Sequence, residues 1–98
     1  MDLQAATKLL REKVGSDCGL GTTLKFDCGS EGIVTIDGAA VPNTVSNDDI
    51  DATCTVGLSL DTLSRLLLGE LEPTTAFMMG KLKVSGDMSV AMKLQRVL

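Results

Sequence analysis

Apolar positions recur along this chain in two periods, and the switches between them divide it into elements. Near the start, Leu3, Ala6, Leu9, Leu10 and Val14 return every three or four residues, with Lys8, Arg11, Glu12 and Lys13 largely opposite. That spacing predicts an amphipathic helix capped by Asp2 and ended by Gly15. Residues 23–28 alternate instead, with Leu24, Phe26 and Cys28 on one side and Thr23, Lys25 and Asp27 on the other, the mark of a half-buried strand. Gly29 to Gly32 reads as a turn. Ile33 to Ile36 reads as a second strand running into Asp37-Gly38, a hairpin signal because both turn positions favour positive φ. A third strand is then expected at once over Ala40–Val45, and Pro42, which has no amide donor, assigns it to a sheet edge.

The second half repeats the alternation and adds helices. Ser46 to Asp51 is polar and acidic and reads as a loop; Asn47, Asp48, Asp49 and Asp51 lack the ligand order and closing Glu of a calcium loop. Ala52, Cys54, Val56 and Leu58 share one face of a fourth strand. Ser59 caps a helix carrying Leu60, Leu63, Leu66 and Leu67, which Gly69 closes. Pro73 suits the first turn of a short helix through Ala76, Phe77, Met78 and Met79. Lys81 to Ser85 alternates as a fifth strand, and Asp87 caps a last helix with Met88, Ala91, Met92, Leu94 and Val97. Five strands, each polar on one side and apolar on the other, imply one sheet with a solvated face, typical of antiparallel pairing. The helices must cover the other face, which gives an α+β sandwich of two layers.

Composition narrows what such a sandwich can do. At 98 residues the chain is expected to form a single domain over 1–98. Hydrophobic residues make up 44% but aromatics only 2%, so the core is aliphatic and stacking on bases or sugars has almost nothing to work with. A net charge of −4 opposes nucleic acid as a partner. The charge is uneven: four basic residues, Lys81, Lys83, Lys93 and Arg96, face one acidic residue, Asp87, from residue 80 onward, against five basic and twelve acidic before it. Those cations read either as a solvated surface or as a docking face for anionic lipid headgroups. Cys18, Cys28 and Cys54 form neither an even framework nor a metal-ligand spacing, and no targeting segment or membrane span is visible. A soluble cytoplasmic protein with reduced thiols is expected.

Catalytic chemistry is hard to build from this inventory. There is no histidine, so no Ser-His-Asp or Cys-His pair can form. The carboxylates fall at turns, caps and polar strand faces, and no spacing selects a pair for acid–base work. Gly80-Lys81 followed by Leu82 lacks the glycine spacing and the Ser/Thr of a phosphate loop. The chain reads as a non-enzyme without a cofactor. Four of the five methionines, Met78, Met79, Met88 and Met92, fall within fifteen positions. They suit a flexible packed core and an adaptable cavity lining equally well.

The stretch from Asp61-Thr62-Leu63 through Gly69-Glu70-Leu71-Glu72-Pro73-Thr74-Thr75-Ala76-Phe77-Met78-Met79-Gly80-Lys81-Leu82-Lys83-Val84-Ser85-Gly86-Asp87-Met88 to Ala91-Met92-Lys93-Leu94 resembles the signature of the sterol carrier protein-2 domain, or nonspecific lipid-transfer protein. The resemblance implies a five-stranded, mostly antiparallel sheet with helices packed on one face. It also implies an apolar tunnel between the layers for fatty acid, fatty acyl-CoA or sterol-like ligands. Carried onto this chain, the motif makes Phe77, Met78, Met79, Leu82, Val84, Met88 and Met92 candidates for the tunnel wall. Facing direction adds Leu24, Phe26, Val34, Ile36 and Leu67. Two features depart from the family pattern: Gly32-Ile33-Val34 stands where a tryptophan is frequent, and Arg96-Val97-Leu98 is not the Ser-Lys-Leu peroxisomal address. The expected function is an intracellular lipid carrier that presents its ligand to lipid-metabolising enzymes or, through transient contact, to membranes. The alternative is a protein-interaction or dimerisation module of the same fold with a collapsed cavity.

Overall fold

In the computed structural model, which describes residues 1–98, the first helix α1 (Leu3–Val14) begins where Asp2 Oδ1 accepts from the Ala5 N–H at 2.8 Å and ends at Gly15, φ 60°. Five strands follow the alternating segments: β1 (Thr23–Asp27), β2 (Ile33–Asp37), β3 (Thr44–Ser46), β4 (Cys54–Gly57) and β5 (Lys83–Gly86). They form one sheet in the order β3-β2-β1-β4-β5. Pairing is antiparallel everywhere except between β1 and β4, which run parallel. The remaining helices are α2 (Leu60–Leu67), α3 (Pro73–Met78) and α4 (Met88–Ala91), with 3₁₀ turns at Gly29–Glu31 and Leu94–Arg96. No helix is long and apolar enough to cross a membrane.

Register explains why the layers separate. Leu24 lies opposite Ile36 on one side and Cys54 on the other; Phe26 lies likewise between Val34 and Val56, and Val84 extends the row beyond Val56. Because side chains alternate along each strand, this pairing gathers the apolar set on one face, and a one-residue slip would turn a whole strand outward. Onto that face α1 buries Ala6, Leu10 and Val14, and α2 buries Leu63, Leu66 and Leu67. At the far end α4 packs against β4 and β5.

The other face is polar but not bare. The acidic loop folds back over it: buried Thr35 donates its hydroxyl to the Asp48 carbonyl at 2.8 Å, and Lys25 Nζ meets Asp49 at 2.7 Å. Asn47 Nδ2 donates to Thr7 Oγ1 and to the Ile33 carbonyl, each at 3.0 Å, which fixes the start of this strap at the sheet edge. No three His, Cys, Asp or Glu side chains converge there or elsewhere as a metal site.

Two local expectations are corrected. Strand β3 forms at Thr44–Ser46, not over Ala40–Val45, although it does occupy the edge. Asp37-Gly38 is not a two-residue hairpin turn, and Gly38 does not adopt positive φ. Glycine is needed there for room, since a Cβ would lie 2.8 Å from the Thr22 carbonyl oxygen and 2.9 Å from Leu20 Cβ. The connection is instead held by Asn43. Its side chain accepts from the Cys18 N–H at 2.7 Å and donates to the Ala40 carbonyl at 2.6 Å, while its own N–H donates to the Ser16 carbonyl at 2.7 Å. These bonds satisfy more polar groups than a tight turn would, so the chain spends six residues before pairing begins.

All three cysteines are free, with Cys28 and Cys54 buried and Cys18 half-buried. Burial, with Asp27 and Glu31 nearby, pushes the Cys28 thiol up from 9.0 to about 11, and burial with Asp87 nearby also raises Cys54. Alkylation of the native protein near pH 8 is therefore expected to mark Cys18 alone, read by mass spectrometry; prompt labelling of Cys28 would contradict its placement. The unfolded chain releases the Cys28 proton near its ordinary value and the folded chain only near the raised one. Stability is thus expected to fall as pH rises from about 9 to 11, checked by urea midpoints across that range.

Candidate functional site

The site is assembled from three short elements near one edge of the sheet. Pro73 occupies the first turn of α3, where its missing N–H is not needed. Only Ala76 of that helix is buried, so α3 is lightly anchored. Gly80, φ 74°, then reverses the chain, with its N–H donating to the Phe77 carbonyl at 3.1 Å and the Lys81 N–H to the Ala76 carbonyl at 2.9 Å. From there the alternation of β5 sends Leu82 and Val84 toward the apolar layer and Lys81 and Lys83 to the opposite face. Gly86, φ 94°, lets β5 press against β4, because a Cβ would collide with the Thr53 carbonyl oxygen. Asp87 then caps α4: its Oδ1 accepts from the Ser89 N–H at 2.9 Å and the Ser89 hydroxyl at 2.6 Å, and these bonds hold its carboxyl below the usual range.

Between these elements lies an open cleft of about 180 Å³. Its α3 wall is Pro73, Thr74 and Phe77, and its floor is Leu82 and Val84. Met88, Ala91 and Met92, with Leu94 and Gln95 beyond them, form the second wall. The only polar side chains in this lining are those of Thr74 and Gln95, both uncharged, and no titratable group enters it. Such a surface can hold an apolar chain and offer it two hydrogen-bonding groups. It has no ionisable side chain with which to move a proton.

The structure sorts the residues singled out from the sequence into three groups. Phe77, Leu82, Val84, Met88 and Met92 meet at the cleft. Met78 and Met79, at the end of α3, are exposed and do not line it. Leu24, Phe26, Val34, Ile36 and Leu67 are buried in the packed core between sheet and helices and do not border the cleft either. The cleft opens at the sheet edge, between β5 and the helices α3 and α4; an enclosed tunnel between the layers is not seen. Pro73, Thr74, Ala91, Leu94 and Gln95 also line the cleft and were not among the candidates. Helical spacing carried part of the signal: Thr74 precedes Phe77 by three on α3, and Ala91 follows Met88 by three on α4, whereas Leu94 and Gln95 reach the cleft from the 3₁₀ turn beyond α4.

Comparison with known proteins agrees with this architecture. The model of the SCP-2 sterol transfer family matches residues 5–98. Over 51 residues, 52% of the chain, the sequence is 47% identical to sterol carrier protein 2 of Gallus gallus, a stretch that spans only 9% of that protein's length. Among solved structures, the crystal structure of sterol carrier protein 2 like 2 from Aedes aegypti superposes with a TM-score of 0.73 at 16% identity, covering 98% of this chain and 95% of that one. The solution structure of the palmitated form of that protein gives a TM-score of 0.72 at 19% identity, covering 99% and 94%.

Proposed function

Because the chain belongs to the SCP-2 sterol transfer family, whose fold binds lipid, we propose that it carries a single-chain lipid in the cleft between α3, β5 and α4. The observation that supports this most directly is the lining: eight apolar residues, two uncharged polar ones, and no ionisable group. Phe77, Leu82, Val84, Met88 and Met92 contact the ligand, and Thr74 and Gln95 orient its polar end. Burial of apolar ligand surface, at roughly 25 cal/mol per Å², supplies the affinity. The domain acts without catalysis of its own.

Size bears on which lipid. About 180 Å³ is below the roughly 300–1,000 Å³ of ordinary ligand pockets, so the cleft widens as it fills. Its walls suit that movement, since α3 is anchored by Ala76 alone and Met88 and Met92 are unbranched and adaptable. A flexible acyl chain can enter such a space by stages, whereas a rigid sterol body needs it preformed. Fatty acid and fatty acyl-CoA are therefore favoured over sterol, and the palmitated form of the Aedes aegypti relative supports the same choice. Handover is to a membrane or to a lipid-metabolising enzyme.

A collapsed interaction module remains as a second reading, favoured by the solid packing of Leu24, Phe26 and Val34 beneath the helices. Native mass spectrometry of freshly purified protein, followed by lipid extraction, separates the two. A mass increment matching a fatty acid or acyl-CoA is expected. Protein that is free of lipid and does not take up added palmitate would defeat the carrier reading.

A further inference from the structure

The two edges of the sheet are finished differently. At β3, Arg11 Nε donates to the Val45 carbonyl at 3.1 Å and α1 packs against the strand, so that edge is closed. β5, at the other edge, has no such cover, and Lys83, Ser85 and Gly86 are exposed. The direction of its peptide groups follows from the bond just beyond it, where the Asp87 N–H donates to the Thr53 carbonyl at 3.0 Å. In an antiparallel ladder alternate residues turn their peptide groups to the same side. Lys83 and Ser85 therefore bond to β4, while Val84 and Gly86 turn N–H and C=O outward. No loop bonds to either residue. Such a row of unpaired peptide groups is a template for another strand.

The side chains along this edge select what can pair there. On the polar face Lys81 and Lys83 are exposed and form no ion pair; the salt bridges are Lys25–Asp49 and Arg65–Asp61. From Pro73 to Gly86 there is no carboxylate, although the chain as a whole is at −4. Asp27, the one acidic residue in the shallow groove beside the two lysines, accepts from the Gly29 N–H at 2.9 Å. On the apolar face Leu82 and Val84 border the cleft, which is open at this edge. Lysine on an edge strand guards against self-pairing, because a second copy would add its own lysines to the same face. An acidic strand meets no such barrier, so the same two charges reject one partner and attract another.

We propose that β5 accepts an added strand from a partner protein, an extended segment in which acidic and apolar residues alternate. Its carboxylates lie beside Lys81 and Lys83 on the polar face, and its apolar side chains lie beside Leu82 and Val84. Bonds to the outward peptide groups of Val84 and Gly86 supply attachment, and the alternating side chains supply selectivity. This goes beyond the carrier reading, since neither lysine lines the cleft.

Fluorescence anisotropy of the full chain with a short fluorescein-labelled peptide of alternating glutamate and valine tests it. Saturable binding that weakens with salt is expected. Lys81→Ala with Lys83→Ala is expected to weaken it about tenfold, the combined effect of two cross-strand charge pairs. Fatty-acid affinity of that variant is expected to be unchanged, so failure here is distinguishable from failure of the carrier reading. Lys8→Ala with Lys13→Ala, on α1, is expected to change peptide affinity less than about twofold. A peptide with its alternate amides N-methylated keeps the charge but loses the main-chain bonds, and is expected to bind about tenfold more weakly. Amide hydrogen exchange, read by NMR, is expected to slow at Val84 and Gly86 when the unmodified peptide binds. Absence of binding would overturn the assignment. So would equal binding of the N-methylated peptide, unaltered exchange at both amides, or a larger loss from the α1 pair.

Discussion

Val84→Trp is expected to weaken binding of a fluorescent fatty acid by roughly seventyfold while the protein still folds. Val84 forms the cleft floor beside Leu82, and an indole there occupies space that the ligand would otherwise fill. Each 100 Å² or so of apolar ligand surface kept out costs about 2.5 kcal/mol, which sets that factor. The fold should tolerate the change because the added volume enters an open cleft and not the packed core, where overpacking costs about 1–3 kcal/mol. Met79→Trp is the matched comparison: its side chain lies outside the cleft, and affinity should stay within about twofold. Fluorescence titration of both variants decides the matter. Unchanged affinity in Val84→Trp would remove the cleft from the binding site.

Phe26→Ala is expected to lower unfolding free energy by about 3–5 kcal/mol, measured by urea denaturation. Phe26 is the largest fully buried side chain, held between Val34 and Val56 in the sheet. The magnitude also reports on the space around it. A phenyl ring packed on all sides forfeits both transfer energy and contacts when removed, whereas one bordering a hollow tunnel has fewer contacts to lose. A loss below about 1.5 kcal/mol would mean that the interlayer space is open at that point.

These two residues also show what could be read from sequence and what could not. Periodicity identified the inward side of β1, β2, β4 and β5, and Asp2, Ser59 and Asp87 each cap the helix expected of them, with side-chain acceptors bonded to the Ala5, Thr62 and Ser89 N–H groups. Alternation tells which way a residue faces but not whether the space it faces is filled. Phe26 and Met92 both follow an apolar period, yet one is fully buried and the other 84% exposed. The difference comes from which elements lie above them, and that depends on contacts distant in sequence. Pairing of β1 with β4 had no local signal either, because nothing within residues 23–27 identifies residues 54–57 as a neighbour. The Asp37-Gly38 misreading has the same origin: Leu20 and Thr22, from the preceding loop, claim the space around Gly38. The last helix, expected to run toward Val97, breaks after Ala91 into a 3₁₀ turn at Leu94–Arg96, which lets Leu94 and Val97 both reach the core.

The parallel seam between β1 and β4 governs the order in which the molecule can come together. β1 and β2 are joined by five residues and can pair early, but the other side of β1 must wait for β4, beyond β2, β3 and the strap. Closing so distant a contact is entropically costly and slow compared with a hairpin. β5 and α4 attach to β4, so the cleft is the last part of the architecture to acquire its walls. The same sequence run in reverse lets the outer strand and its helix detach while the β1–β2–β3 meander and its helix persist. The part proposed to hold the lipid is thus the part whose opening disturbs the rest least.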